Sequence, residues 1–123
     1  MIDQAPALSA KFLLPFVPAK DYELSKAFYL DLGFSQAYQD DQLTEYVLND
    51  CRFYLQNFFE QSLANHFVLQ LLVQDLDAWW ARIQSQQLDK RYPGVRLHPP
   101  ETKAWGQRIL TLIDPSGVLW YLA

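Results

Sequence analysis

The chain has 123 residues, a formal net charge of -4 and a pI near 4.9, and half of its residues are hydrophobic. This length suits one ordinary domain of about 100–150 residues, and the apolar content excludes global disorder. The single cysteine, Cys51, excludes an internal disulfide and a cysteine-based zinc site. The sequence contains neither a Lys/Arg cluster suited to nucleic acid nor an apolar stretch long enough for a membrane span, and we therefore expect a soluble cytoplasmic protein.

The first half of the chain predicts the order β-α-β-β-β. The apolar run Phe12–Val17 predicts a buried strand, which Pro15 restricts to a sheet edge because proline lacks a backbone donor. Asp21 is a candidate N-cap for a helix that ends at Gly33. Three short strands, separated by Asp and Asn turns, are then predicted at Gln36–Gln39, Leu43–Leu48 and Cys51–Asn57.

The second half repeats this order. Phe67–Val73 predicts an apolar strand, and Asp75 can cap the helix that follows it. Pro-rich sequence from Lys90 to Glu101 predicts a loop around a short strand near Val95–His98. The chain closes with strands at Arg108–Ile113 and Leu119–Leu122 around the turn Asp114-Pro115-Ser116-Gly117.

The two candidate helix caps, Asp21 and Asp75, lie 54 positions apart, which is close to half the chain length. This offset indicates an internal duplication, although residue identity between the halves is poor. Neither half alone offers a closed core. Two such units packed together would bury both helices and leave a concave sheet face.

Three segments resemble the vicinal oxygen chelate superfamily, which includes glyoxalases, extradiol dioxygenases and bleomycin resistance proteins. PFVPAKDYELSKAFYLDLGFSQAY resembles the first βα unit of that fold, and VQDLDAWWARI resembles the start of its second module. The ending WGQRILTLIDPSGVLWYL resembles its W-G-x-R…D-P-x-G closing hairpin. The helix end DLGFS and the closing hairpin are most similar to the bleomycin resistance branch.

The resemblance implies an α+β fold in which two βαβββ modules form a partly closed, barrel-like mixed sheet with the helices outside. Residues 1–123 would form one domain, with module one at about 11–58 and module two at about 65–123. Members of the branch form dimers that exchange their N-terminal arms, and Pro15 falls where that branch carries a proline. Pro15 is equally compatible with an ordinary edge strand. We therefore expect a homodimer, with arm exchange left open.

The resemblance also locates the positions that hold a divalent metal in the enzymes of the superfamily. They correspond here to Leu14, Val68 and Tyr121. Leu and Val have no donor atom, and a neutral Tyr replaces a carboxylate poorly. We therefore expect no metal, no other cofactor and no catalytic residues. The alternative is a displaced metal site that uses His66, which the strand pattern places on the cavity side near its open end.

Three further side chains have weaker cases. His98, beside two prolines, is predicted to be a surface loop residue, and Glu45 and Glu101 could complete an irregular metal site without any spacing that requires it.

Strand alternation assigns side chains to the two faces of the predicted sheets. The helix-covered face is predicted to hold Leu13, Val17, Phe67, Leu69, Leu71, Trp120 and Leu122. Trp105 resembles the tryptophan that lines the drug groove of bleomycin resistance proteins, or else it packs under the Pro-rich loop. The predicted ligand-binding residues are Phe12, Leu14, Phe16, Tyr38, Tyr46, Tyr54, Gln56, His66, Val68, Gln70, Trp105 and Tyr121.

An aromatic cavity with a few amides suits a planar ligand held by stacking and hydrogen bonds. The leading hypothesis is a metal-free binding protein of the bleomycin resistance type that sequesters a small aromatic or cationic molecule in a dimeric groove. A metal-dependent lyase or dioxygenase with a displaced metal site is the alternative. A module whose groove accepts another protein is a third hypothesis.

Overall fold

The computed structural model of the protein describes residues 6–123, so residues 1–5 of the predicted domain lie outside it. Eight strands form two four-stranded sheets. The first sheet has the strand order β1-β4-β3-β2 and the second sheet has the order β5-β8-β7-β6. The elements in chain order are β1 (Phe16–Pro18), α1 (Tyr22–Leu32), β2 (Ser35–Gln39), β3 (Leu43–Leu48), β4 (Cys51–Gln56), α2 (Gln61–Asn65), β5 (Val68–Leu71), α3 (Leu76–Ser85), α4 (Leu88–Arg91), β6 (Arg96–Thr102), β7 (Arg108–Ile113) and β8 (Leu119–Leu122).

Both sheets are mixed in the same way. The β1–β4 and β5–β8 pairs are parallel, and the remaining neighbours are antiparallel. The α+β fold class predicted from the sequence is confirmed, and the two sheets stay separate rather than closing into a barrel. None of the helices within residues 6–123 is long and apolar enough to cross a membrane.

The predicted helix boundaries are confirmed by their caps. The Asp21 side chain accepts a hydrogen bond from the Leu24 N–H at 3.1 Å, and the Asp75 side chain accepts one from the Ala78 N–H at 3.0 Å. Gly33 ends α1 with a φ of 130°, a backbone conformation that glycine adopts readily. The two main helices therefore begin where short acidic side chains replace missing backbone partners.

The first predicted strand is much shorter than the apolar run that suggested it. β1 begins only at Phe16, and residues 6–15 form an extended arm without regular structure. The last ladder bond toward the arm runs from the Tyr54 N–H to the Pro15 carbonyl, and Pro15 has no N–H with which to continue. Leu13, predicted to lie under the helices, is 89% exposed, so that prediction was wrong.

Three features of the second half were not predicted. The short helices α2 and α4 occupy segments that the sequence left as connections. Strand β6 runs on to Thr102, well past the predicted end near His98, because a bulge between His98 and Glu101 accommodates the two prolines. The Pro-rich segment is therefore a full edge strand rather than a loop.

One face of each sheet packs into a single hydrophobic core with α1 and α3. The first sheet contributes Val17, Tyr46, Phe53 and Leu55, and the second contributes Leu110, Leu112, Trp120 and Leu122. Of the residues predicted for this face, Val17, Trp120 and Leu122 are buried, and Phe67, Leu69 and Leu71 are half-buried against the core. We call the opposite side of each sheet its open face, since none of the helices in residues 6–123 packs on it.

A buried carboxylate ties the two halves together. The Tyr29 hydroxyl, on α1, donates to Asp114 Oδ2 at 2.6 Å and accepts from Trp120 Nε1 at 2.9 Å. Asp114 Oδ1 also accepts from the N–H groups of Ser116 and Val118 at 2.8 and 2.9 Å. One phenol thus satisfies a buried acid and a buried indole, both of which belong to the second half of the chain.

We expect Tyr29→Phe to lower the free energy of unfolding by about 2–4 kcal/mol, because it leaves both Asp114 Oδ2 and Trp120 Nε1 buried without a partner. Urea unfolding measures the loss. Tyr22→Phe is the matched control, since the Tyr22 hydroxyl bonds only to the neutral Thr44 hydroxyl and the Asp40 carbonyl. Equal losses in the two variants would contradict a special role for the Tyr29–Asp114 bond.

Burial raises the pKa of Asp114 from its ordinary 3.8 to about 6. Between these two pKa values, Asp114 holds a proton in the folded protein that it has released in the unfolded chain. The contribution of this proton to the free energy of unfolding is therefore fully present below the lower pKa. That contribution is lost as the pH rises through the upper pKa, a change of about 3 kcal/mol. Urea unfolding of the wild type and Asp114→Asn from about pH 4 to about pH 7 should show the wild type losing stability relative to the variant. A pH-independent difference would rule out this titration.

Candidate functional site

The open face of the first sheet carries a largely aromatic row. Phe16, Tyr54 and Glu45 are direct cross-strand neighbours on β1, β4 and β3, and Tyr38 on β2 pairs with Glu45. Directly paired residues point to the same side of a sheet. The Phe16 and Tyr54 rings lie 5.0 Å apart at 48°, and Phe16 is 47% exposed. The row therefore offers ring faces to whatever covers this sheet.

An ion pair lies beside this row. Arg52 Nη1 is 2.6 Å from Glu45 Oε2, and the two side chains are 28% and 17% exposed. The Phe12 ring lies over the guanidinium, 4.3 Å from Arg52 Cζ. Within residues 6–123, Arg52 Nε is buried without a hydrogen-bond partner. The arm is thus held to the sheet by a cation–π contact with a charge that is already paired.

The rim of the first sheet carries a second carboxylate. The Tyr38 hydroxyl donates to Asp40 Oδ2, and this bond, together with the N–H groups of Gln42 and Leu43, lowers the pKa of Asp40. The same bond raises the pKa of Tyr38. Asp40 therefore keeps its negative charge at the end of the aromatic row.

The open face of the second sheet is polar where the first is aromatic. Gln70, Tyr121, Thr111 and His98 are successive cross-strand neighbours on β5, β8, β7 and β6. A second row lies beside them and consists of the apolar residues Val68, Leu119 and Ile113, followed by Arg96. The sequence placed His98 at the end of a short strand and, because of the prolines, in a surface loop. The loop placement was wrong, because His98 pairs with Thr111 within β6 and the bulge that absorbs the prolines begins only after it.

Most of the predicted ligand-binding residues lie on the open faces. Phe12, Phe16, Tyr38, Tyr54 and Gln56 belong to the first sheet or contact it, and Val68, Gln70 and Tyr121 belong to the second. Leu14 is half-buried just before β1. The structure therefore divides the predicted site between two surfaces instead of gathering it in one.

Tyr46 was predicted to face the cavity, and this was wrong. Its ring stacks on Phe53 with centroids 5.3 Å apart, and the side chain is fully buried in the core. The hydroxyl donates to the Lys26 carbonyl at 2.8 Å and accepts from Gln36 Nε2 at 3.1 Å. Burial raises the pKa of Tyr46 to about 12, so this residue is a satisfied, neutral core tyrosine.

His66 does not lie on a sheet face either. It forms the exposed C-cap of α2, with Nδ1 2.8 Å from the Ser62 carbonyl oxygen. Strand alternation placed it with Val68, but the strand begins only at Val68 and a helix precedes it. The prediction failed because it continued the alternation of β5 to residues that precede the strand.

Trp105 lies in the loop between β6 and β7 and is 70% exposed. Its Nε1 donates to Gln107 Oε1 at 3.1 Å, which orients the indole without burying it. It therefore does not pack under the Pro-rich segment, and its ring is available to a ligand.

Leu14, Val68 and Tyr121, which the resemblance matches to the metal-ligand positions of the superfamily's enzymes, lie on strands or just before them. Across the described part of the chain, no three His, Cys, Asp or Glu side chains come together in a group that could hold a metal ion. What the open faces present is suited to stacking and hydrogen bonding.

A cavity of about 680 Å³ lies where the arm, the start of β4 and β5 meet. Its floor is formed by the aromatic side chains Phe34, Phe53 and Trp120, and Lys11, Asp50 and Arg52 also line it. Of the predicted ligand-binding residues it includes only Phe12 and Gln70. This cavity is therefore not the predicted groove, and most of the candidate residues remain on the uncovered faces.

Known proteins resemble this chain in sequence and in fold, although no family model matches the chain. A bleomycin resistance protein of Klebsiella pneumoniae is 30% identical over 112 residues, covering 85% of each chain. The crystal structure of a bleomycin-binding protein complexed with bleomycin is 27% identical, with a TM-score of 0.79 over 92% of this chain and 97% of that one. A bleomycin resistance determinant encoded on the transposon Tn5 is 26% identical, with a TM-score of 0.78 over 92% and 96%.

The two mixed sheets of matching strand order, each covered by helices on one side, have the fold of the glyoxalase/bleomycin resistance protein superfamily. Within that superfamily, the chain belongs to the bleomycin resistance proteins.

We expect Glu45→Gln to lower the free energy of unfolding by about 1–2 kcal/mol, because it leaves the guanidinium of Arg52 half-buried without a counter-charge. Asp77→Asn is the matched control. It breaks the Arg108–Asp77 pair, whose 2.9 Å contact lies between exposed side chains, and should change stability little. Chemical denaturation of both variants measures the difference. If Glu45→Gln left the free energy of unfolding unchanged, the Glu45–Arg52 pair would contribute no stability.

Proposed function

We propose that this protein binds and sequesters an aromatic or cationic small molecule without transforming it, with bleomycin as the first candidate. The observation that carries the proposal is the pair of uncovered sheet faces, one lined by rings and the other by hydrogen-bonding groups. A related protein binds bleomycin on the same fold.

The aromatic preference rests on the first sheet. Phe16, Tyr54 and Tyr38 present their rings on one face, and Trp105 adds an exposed indole from a loop of the second sheet. Ring faces of this kind attract planar ligands through dispersion and quadrupole interactions. These rings would hold a heteroaromatic ring by stacking, without an ion pair to it.

The cationic preference rests on the carboxylates around that face. Asp40 stays ionised at the rim, and Asp50 precedes β4. Glu45 is occupied by Arg52, so it contributes less to the local field. With a net charge of -4, the chain favours a positively charged group on the ligand over a negative one.

A second copy of the chain would complete the binding groove. In one chain the open faces are uncovered, with Phe16 47% and Val68 52% exposed. Bringing the first sheet of one copy opposite the second sheet of the other would bury these groups and enclose a ligand between rings and polar side chains. Leu8 and Leu13 project fully or almost fully exposed from the extended arm, as expected of a segment that packs on a partner.

Binding is favoured over the alternative of a metal-dependent lyase or dioxygenase. Such an enzyme uses a metal ion to polarise its substrate. The ligand positions carry Leu14, Val68 and Tyr121, and His66, the residue needed for a displaced site, lies at a helix end away from the sheet faces. Among the side chains that the structure describes, the rings and hydrogen-bonding groups of the open faces favour the binder.

We expect isothermal titration calorimetry with bleomycin to show tight binding, and Trp105→Ala to weaken it by about 1–3 kcal/mol through the loss of a stacked ring. Trp105 is exposed, so the variant should fold normally. Phe58→Ala is the control, because Phe58 is an exposed aromatic residue in the connection between β4 and α2, outside the strands of both sheets. If bleomycin and other planar cations fail to bind below high micromolar concentration, the proposed function is wrong.

We expect light scattering at roughly 100 µM to show a dimer, well above ordinary dimer dissociation constants. Phe16→Asp should yield a monomer, because it places a charge on the face that the partner covers. Leu63→Asp, the same kind of change at an exposed leucine of α2, should leave the dimer intact. A monomeric wild type would argue against a composite groove.

A further inference from the structure

We infer that the open face of the second sheet is a hydrogen-bonding ladder that fixes the ligand, and that Thr111 and His98 contact the ligand as members of it. This inference rests on the proposed binding function. It adds two residues that sequence patterns assign to no site. It also defines the ligand more narrowly, as an elongated molecule with hydrogen-bonding groups along one edge.

The first argument comes from equivalent positions in the two sheets. Because the strand orders match, the row Gln70–Tyr121–Thr111–His98 crosses the second sheet as Phe16–Tyr54–Glu45–Tyr38 crosses the first. Side chains in the first row mainly stack. Every side chain in the second row can donate or accept a hydrogen bond. The two faces therefore offer complementary contacts to one planar molecule.

The second argument is that this row has free hydrogen-bonding capacity. Within residues 6–123, the side chains of Gln70, Tyr121 and Thr111 make no hydrogen bond to the protein. His98 Nδ1 lies 3.1 Å from the Pro99 carbonyl oxygen and 3.6 Å from Glu101 Oε2. With Nδ1 donating to that carbonyl, Nε2 is left as an acceptor. The ladder thus keeps a carboxamide, two hydroxyls and a ring nitrogen for an external partner.

Burial supplies the third argument. Tyr121 and Thr111, at the centre of the row, are already half-buried in a single chain. A second copy covering this face would remove much of their remaining water. Polar groups buried without partners are costly, and a site that hydrogen-bonds its ligand rejects analogues that lack those groups. A ligand that pairs with the ladder is therefore selected over one that only stacks.

The dimensions of the ladder set the length of the ligand. Four neighbouring strands place the ends of the row about 14–15 Å apart. The apolar row Val68–Leu119–Ile113 runs alongside and would contact the body of the same molecule. Amides, hydroxyls or ring nitrogens spaced along a flat, extended molecule match this pattern. A compact dye cannot reach both ends.

Three nearly isosteric variants, Thr111→Val, Tyr121→Phe and His98→Phe, test the ladder in calorimetric titrations with bleomycin. We expect each to weaken binding roughly three- to tenfold, the scale of one lost hydrogen bond, with thermal stability unchanged. Thr102→Val is the matched control, because Thr102 lies on the same strand as His98 but outside the row. It should bind like the wild type.

A direct readout comes from the unmodified protein. The imidazole signals of His98 and the side-chain amide of Gln70 should shift in NMR spectra when bleomycin is added. If the wild type binds bleomycin while the row variants bind equally well and these signals stay in place, the ladder is wrong and the proposed function stands. If the wild type does not bind bleomycin at all, both are wrong.

Discussion

The hydrogen bond between Tyr29 and Asp114 is the constraint on which the rest of this fold depends. A carboxyl group placed in a hydrophobic core is costly unless donors surround it. Asp114 receives the Tyr29 phenol from the first half and two backbone N–H groups from its own turn. Because that turn sets the β7–β8 hairpin, the position of α1 and the geometry of the second sheet are fixed by the same contact.

The aromatic residues divide into two populations around this contact. Tyr29, Phe34, Phe53 and Trp120 pack edge-on or tilted against one another, with centroid distances between 5.0 and 6.3 Å. This cluster lies in the core and packs against the core-side faces of both sheets. The rings on the open faces therefore lie on strands whose other side is packed in the core. Such strands suit a surface that binds a ligand without rearranging.

Local signals in the sequence were sufficient for most of the elements. Asp21 and Asp75 cap their helices as expected, and strands β3, β7 and β8 have the predicted bounds, because each combines clear turn residues with apolar alternation. The arm was misjudged since an apolar run forms a strand only where a neighbour can pair with it. The two short helices were missed because a helix of four or five residues carries too little periodicity to detect.

The site was harder to predict than the fold. In β3 the polar Thr44 lies in the core, bonded to the Tyr22 hydroxyl, while Leu43 and Val47 point to the open face. Hydrophobicity alone therefore gave no direction for Tyr46. His98 was missed for another reason, since two prolines normally indicate the end of a strand. Nor does strand alternation within one chain show that the candidate residues belong to two separate faces.

The long reach of the Tyr29 contact also affects how the chain must be made. Its partner Asp114 is 85 residues further along, and the indole that completes the cluster comes at position 120. During synthesis there is an interval in which α1 and the first sheet have emerged but the second-half residues that complete their core have not. Apolar surface stays uncovered for that interval, when nascent chains are most prone to associate wrongly. The two halves of the core can therefore pack against each other only after β8 has been made, because the contact joins residues far apart in the chain.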